Sequence, residues 1–297
     1  MTYKRVFHAT RVVLTPCFFI FFGTLSISHA EQPQRIVSAA GSLTEIIYAL
    51  NLEERLVGVD TTSQWPVEAL EIAQVGYQRA LSAEGILALA PDVVLLTADA
   101  GPPEVLQQLQ DSGLRMESFP RDYSLEGVYA RIEGVGNLLG KMDAANKLIT
   151  TMKSDAAKLQ ASIAGRQSPG VAFLLGTDVG SSMAAGNDTS AHAMITLSGA
   201  RNALGDYQGY KPVNAEALIE AAPEFLIVVN HGDDNDTADI VNATLALPGV
   251  ALTPAGENLR IIVMDALQFL GFGPRTVEAM ELLAHKLFEA DFQQQNE

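Results

Sequence analysis

Hydrophobic positions along this chain alternate between two periods. Short apolar runs at Arg35-Ile-Val-Ser38, Leu56-Val-Gly-Val-Asp60, Val93 to Leu96 and Arg115 to Pro120 read as strands. Between them, Leu43, Ile46, Ile47 and Leu50 recur at helical spacing, and Pro103 to Ser112 reads as a helix closed by Gly113. Ser42 and Glu45 have the spacing of a capping box at the first of these helices. Strand and helix in alternation predict a parallel sheet covered on both faces. From Leu125 to about Ala164 the pattern changes to apolar steps of three and four only, which predicts one long helix, or two with a break near Gly140. At about 1.5 Å per residue it would run roughly 50 to 60 Å, enough to brace two bodies and limit their hinge motion. Gly134, Gly136 and Gly140 weaken it as an isolated helix, so docking on those bodies is expected rather than a coiled-coil dimer. Alternation then resumes with a strand at Val171 to Leu175 and a Gly/Ser/Asp loop from Gly176 to Asp188. It continues through a helix from about Thr189 to Leu197, strands at Phe225 to Val229 and Ile261 to Met264, and a last helix from Arg275 to about Glu289.

One unit occurs twice. Leu81-Ser-Ala-Glu-Gly-Ile-Leu-Ala-Leu-Ala-Pro-Asp-Val-Val-Leu-Leu96 is echoed by Val213-Asn-Ala-Glu-Ala-Leu-Ile-Glu-Ala-Ala-Pro-Glu-Phe-Leu-Ile-Val228. Each copy reads as a polar cap, a short helix, a Pro that stops it, an acid and a buried strand. Two similar α/β lobes follow, 31–124 and 166–297, joined by the 125–165 helix, with a cleft between them. Glu84 and Glu216 hold equivalent places near the two helix starts, where a carboxylate suits the positive end of the helix dipole.

The first 30 residues stand apart. Lys4, Arg5 and Arg11 precede a Phe-rich apolar stretch, and Ser28-His29-Ala30 ends in a small-x-small site, so 1–30 reads as a secretory signal peptide cleaved after Ala30. The only cysteine, Cys17, lies inside it without a lipoprotein acylation context, and the mature chain is expected to be exported, cysteine-free and not membrane-inserted. The whole chain has 19 Lys and Arg against 35 Asp and Glu, a net charge of −16. The leader carries three of the bases and none of the acids, leaving 16 against 35 in the remainder. Phosphate binding relies on clustered cations, so nucleic acid is not an expected partner.

Signatures of catalysis are sparse. The chain has no G-x-S-x-G elbow, no H-E-x-x-H and no Walker loop, and Gly134-Val-Gly136 falls inside the helical pattern. His192, His231 and His285 are the histidines outside the leader. His285 sits among leucines of the last helix, and His231 opens the acidic loop His231-Gly-Asp-Asp-Asn-Asp236. His192 falls in the first turn of a helix that opens toward the expected cleft, and reads equally as a ligand or as an ordinary helical residue. In Gln74-Val-Gly-Tyr-Gln-Arg79, Tyr77 and Arg79 are two apart in an extended approach to a helix, so phenol and guanidinium share a face at the strand-end rim where α/β sheets bind ligands. A phenolate is a hard oxygen suited to ferric iron, and a cation beside a phenol favours its ionised form.

The string Val75-Gly-Tyr-Gln-Arg-Ala-Leu-Ser-Ala-Glu-Gly-Ile-Leu-Ala-Leu-Ala-Pro-Asp92 resembles the haem-binding periplasmic proteins that serve bacterial ABC haem importers. The stretches Arg35-Ile-Val-Ser-Ala-Ala-Gly-Ser-Leu-Thr-Glu45, Ala185-Gly-Asn-Asp-Thr-Ser-Ala-His192, Gly209-Tyr-Lys-Pro-Val-Asn-Ala-Glu-Ala-Leu218 and Leu270-Gly-Phe-Gly-Pro-Arg-Thr276 extend the likeness over nearly all of the chain after the leader. The resemblance implies a periplasmic, monomeric, non-enzymatic carrier with two α/β lobes and a rigid connecting helix. It would hold haem in the cleft and hand it to a permease dimer with ATPase subunits. By position it makes Tyr77 the haem iron ligand, Arg79 its support and His192 a possible second-lobe contact, with Glu84 and Glu216 docking on permease arginines. Aromatic and cationic groups expected along the rim are Trp65, Arg121, Tyr123, Tyr207, Tyr210, Lys211, Phe272 and Arg275. A carrier of cobalamin or an iron chelate is the nearest alternative, followed by an enzyme or a zinc or manganese carrier.

Overall fold

Two sheets carry the fold, and the chain completes one before starting the other. The first part runs β1 (Ile36–Ser38), α1 (Gly41–Ala49), β2 (Leu56–Val59), the short pair β3 (Gly76–Tyr77) and β4 (Ala80–Leu81), α2 (Ala83–Ala88), β5 (Val93–Thr97), α3 (Pro103–Asp111) and β6 (Met116–Phe119). Strands lie in the order β2-β1-β5-β6, each pair parallel. Two helices follow, α4 (Leu125–Leu138) and α5 (Met142–Ile163). The second part runs β7 (Gly170–Leu175), β8 (Met183–Ala185), α6 (Ser190–Leu197), β9 (Arg201–Asn202), β10 (Tyr210–Pro212), α7 (Ala215–Ala221) and β11 (Phe225–Asn230). It ends with α8 (Thr237–Leu245), α9 (Pro254–Glu257), β12 (Ile261–Asp265), α10 (Ala266–Leu270) and α11 (Thr276–Leu287). The computed structural model describes residues 1–2, 32–176, 182–232 and 236–289. The expected signal peptide, its expected cleavage point and Cys17 lie outside the described residues. Residues 32–297 form one compact unit.

The α/β class matches expectation, with one correction. The second sheet, β10-β8-β7-β11-β12 with β9 beside β7, is mixed rather than parallel: β7, β9, β11 and β12 run together, while β8 is antiparallel to both β7 and β10. Part of the stretch expected to be loop, 176–188, turns the chain back along β7 as β8. Both sheets are covered on both faces, as the alternation inside each strand requires. Val93 and Leu95 of β5, with Val171 and Phe173 of β7, enter one large core shared with α4, α5 and α11. Their neighbours Val94 and Leu96, and Ala172 and Leu174, point into two separate outer clusters.

The long amphipathic stretch folds as two helices. Gly140 adopts a left-handed φ of 70°, where a glycine is the least strained residue at the break. Helix α5 buries Ala145, Ile149, Met152, Ala156, Leu159 and Ile163, one stripe at steps of four and three, and is about 33 Å long. It packs on α4 and on α11, while α4 packs on α1, so the tie between the parts is a jointed pair rather than a single rod.

The internal repeat is physical. Ser82 caps α2 by accepting from the Gly85 N–H at 3.1 Å, and Asn214 caps α7 by accepting from Ala217 at 2.8 Å. Each unit leaves its helix through a left-handed alanine, Ala90 or Ala222, then Pro, then an acid. Asp92 accepts from the Gln34 and Arg35 N–H groups at 2.8 and 2.9 Å, and Glu224 accepts from Gly170 N–H at 2.8 Å. In both copies the acid fastens the start of the neighbouring strand, β1 or β7. The expected capping box at Ser42 and Glu45 is absent: the helix begins earlier, its N-cap is Ala40 without a side-chain bond, and Glu45 is engaged elsewhere.

Candidate functional site

Tyr77 and Arg79 are brought together by a tight turn. Tyr77 pairs with Ala80 and Gly76 with Leu81, leaving Gln78 and Arg79 as a two-residue loop between β3 and β4. Gly76 takes φ 96°, which a side chain would oppose. This corrects the extended-chain expectation: the two side chains meet across a hairpin turn, not as alternate residues of a strand. The Arg79 Nη1 donates to the Tyr77 hydroxyl at 3.1 Å. Tyr77 remains 39% exposed, so its ring is open to a ligand.

The turn is held from below. Asp60, at the end of β2, is fully buried and accepts from the Thr62 hydroxyl, the Ser63 hydroxyl and the Gln78 N–H at 2.9, 3.0 and 3.2 Å. Burial pushes the Asp60 carboxyl up, against the pull of these bonds. Asp99, just beyond β5, binds the second Arg79 nitrogen and accepts from the Thr97 hydroxyl at 2.8 Å. Burial opposes the Asp99 charge, but the Arg79 and Thr97 bonds outweigh it and hold its carboxyl below the usual range. Burial likewise opposes the Arg79 charge, and the Asp99 bond reverses that, raising the guanidinium further. Neither aspartate was singled out from sequence. The cue available was an acid placed directly after a buried strand, where its carboxylate can meet a turn from the next layer.

Around this pair stand two more phenols. Tyr123 lies with Arg121 5.9 Å over its ring and feels the charges of Arg121, Asp99 and Arg79; burial, the largest influence, raises its hydroxyl. Tyr210, on β10 of the second sheet, is raised by burial against hydrogen bonds from Ser190 and Ala191, and also feels Arg79. Its ring meets Phe173 edge-on at 6.3 Å. Tyr77 and Tyr123 from the first part and Tyr210 from the second thus all feel the charge of Arg79, with Arg121 exposed beside Tyr123. Lys211 is exposed but follows Tyr210 along β10 and so faces the other side of the sheet.

Other expected site residues are placed differently. Phe272 is not on a rim: it is 1% exposed and packs against Tyr123 at 5.2 Å. Tyr207 packs on the outer cluster of the second sheet, since its loop folds over Gly186, with the Asn187 N–H bonded to its carbonyl. His192 has the Asn202 amide 3.3 Å from its Nδ1 and its own N–H capped by Thr189. Arg275 is largely enclosed, stacked 4.7 Å over the half-exposed Trp65 and bonded through Nε to Glu45 at 2.9 Å. Burial dominates at Glu45 and pushes its pKa from 4.5 to about 7 despite the arginine. Arg131, buried on α4, donates to the Phe272 carbonyl at 2.8 Å and to the Pro120 carbonyl at 3.1 Å. These contacts fasten the 271–275 loop of the second part onto α1 of the first part and onto α4 of the joining pair. Glu84 and Glu216 are exposed in the first turns of α2 and α7. Among the described residues no three His, Cys, Asp or Glu gather as a metal site, and no helix is long and apolar enough to cross a membrane.

A parallel sheet and a mixed sheet joined by a helix pair define the architecture. Residues 36–267 match the periplasmic binding protein family, and the chain belongs to it. It is similar to the periplasmic heme-binding protein RhuT of Roseiflexus sp. RS-1, with 35% identity, a TM-score of 0.80 and coverage of 86% of this chain and 98% of that one. It is also similar to the periplasmic heme-binding protein BhuT in complex with two hemes, with 38% identity, a TM-score of 0.79 and the same coverages, 86% and 98%. Among curated relatives, the uncharacterised ABC transporter substrate-binding lipoprotein YvrC of Bacillus subtilis is 27% identical, covering 89% of this chain and 83% of that one. The vitamin B12-binding protein of Vibrio cholerae is 24% identical, covering 90% and 94%.

Proposed function

We propose that this protein captures ferric haem as a transported substrate and passes it to the permease of an ABC importer. The observation that carries this reading is an exposed phenol oxygen, that of Tyr77, already accepting from a guanidinium. A phenol oxygen is the hard ligand that ferric iron takes up, and the guanidinium beside it is placed to support the bond. Tyr123 and Tyr210 supply flat, partly buried faces for a porphyrin, and the exposed Arg121 supplies a cation for its propionates. The pocket lies between two lobes, 31–124 and 166–297, with 125–165 as the connector. His192 is a further contact on the second lobe. Glu84 and Glu216, one on each copy of the repeat, meet cationic residues of a two-fold permease. Kinship with proteins named for heme binding supports the ligand, and YvrC, named as an ABC transporter component, supports the partner.

A second reading, cobalamin, is favoured by the relatives named as vitamin B12-binding proteins. Titrating the purified protein with hemin and separately with cyanocobalamin separates the two. The haem reading expects saturable hemin binding with a high-spin ferric spectrum and a charge-transfer band, and no competition by cobalamin. Saturable cobalamin binding with no hemin spectrum would overturn it.

A further inference from the structure

Arg79 sits on an exposed two-residue turn, its side chain 53% exposed, where a long flexible group would otherwise sample many rotamers. It is held in one. Nη2 is taken by Asp99 while Nη1 faces the Tyr77 oxygen, and because a guanidinium is planar, fixing one nitrogen fixes the other. Asp99 is itself anchored: the Thr97 hydroxyl donates to its Oδ1 at 2.8 Å, and only 22% of its side chain is exposed. The segment carrying Asp99 is stitched to the same turn, with the Gly101 N–H donating to the Gln78 carbonyl and the Leu81 N–H donating to the Gly101 carbonyl, both at 2.9 Å. Strand β5, the loop after it and the β3–β4 turn therefore move as one piece.

We propose that Asp99 is the positioning residue of the ligand site, holding the Arg79 guanidinium so that its Nη1 points at the Tyr77 oxygen. The site is then a relay, Thr97 to Asp99 to Arg79 to Tyr77, in which the last member meets the iron. This rests on the haem reading and adds a residue that acts on the iron only through Arg79. It also explains how an arginine in a mostly exposed place can keep one nitrogen aimed at the Tyr77 oxygen.

The test is a double-mutant cycle read by hemin affinity and by the position of the ferric charge-transfer band, in wild type, Arg79→Ala, Asp99→Ala, Asp99→Asn and Arg79→Ala/Asp99→Ala. Asp99→Ala is expected to weaken hemin binding about tenfold and to move the band in the same direction as Arg79→Ala. Asp99→Asn, which keeps an acceptor oxygen for the guanidinium, is expected to recover part of both effects. The double variant should be no weaker than Arg79→Ala alone. Equal affinity and band position in Asp99→Ala and wild type, or losses that add in the double variant, would overturn the proposal and leave the haem reading intact. Wild-type protein that takes up no hemin would instead overturn the haem reading itself.

Discussion

Replacing Glu45 by Gln isolates how the two parts of the molecule are fastened. The Glu45 side chain is 4% exposed and that of Arg275 17%, with Asp265 3.7 Å from the same guanidinium. Burial raises Glu45, the Arg275 hydrogen bond and charge oppose it, and Asp265 adds a smaller push upward, leaving its pKa at about 7 against 4.5 for a free side chain. Its pKa is therefore higher folded than unfolded. Below about pH 4.5 both states hold the proton; between about 4.5 and 7 the folded state keeps a proton that the unfolded state has lost. Stability contributed by this group is thus fully present in acid and is lost as pH rises through about 7. At about 1.36 kcal/mol per pH unit the whole change is about 3 kcal/mol. Urea unfolding of wild type and Glu45→Gln across that window reads it as the difference between two pH profiles, which cancels every other titrating group. Wild type should lose about 3 kcal/mol relative to the variant between about pH 4.5 and 7.5. Parallel profiles would refute the reasoning and mean that the arginine keeps the carboxylate ionised throughout.

Four further variants test other parts of the account. Arg131→Ala removes donors to the Phe272 and Pro120 carbonyls and vacates a buried site, so thermal or urea unfolding should show a loss of about 2 to 4 kcal/mol; less than about 1 would mean these bonds do not hold the 271–275 loop. Ser82→Ala and Asn214→Ala each delete one cap of the repeated unit and should each cost about 1 kcal/mol, and a cost confined to one of them would break the equivalence of the two copies. Glu84→Ala/Glu216→Ala should leave hemin titration unchanged while abolishing hemin-dependent growth in cells relying on this importer. Unimpaired growth would remove the docking role.

Much of the architecture was readable because it depends on local pattern. The strands at 93–97 and 225–230 lie within a residue or so of their apolar runs, and the repeat was visible because cap, Pro and acid each have a local job. The purpose of that acid became clear only in three dimensions, since Asp92 and Glu224 bind backbone far away in sequence. Strand β8 was missed because Met183-Ala-Ala185 has no alternation to show, and its direction is set by pairing with β7. Glu45 illustrates the opposite failure. Its spacing from Ser42 satisfied a local rule, yet its partner, Arg275, lies 230 residues on, where no sequence rule reaches. At the proposed ligand site the sequence points to Tyr77 and Arg79, but through extended-strand geometry that the hairpin replaces. Asp60 and Asp99 escaped notice because single aspartates after strands are ordinary in sequence and become specific only through the turn they hold. Phe272 followed the same logic in reverse: flanked by glycines it reads as loop, yet it fills the core beneath Tyr123.

The central claim is that the Tyr77 oxygen binds ferric iron, and Tyr77→Phe tests it most directly, since the ring and its packing stay while one oxygen goes. Wild-type protein titrated with hemin should give a high-spin spectrum with a phenolate-to-iron charge-transfer band, and Tyr77→Phe should lose that band and most of the affinity. An unchanged band and an unchanged dissociation constant in Tyr77→Phe would contradict the account.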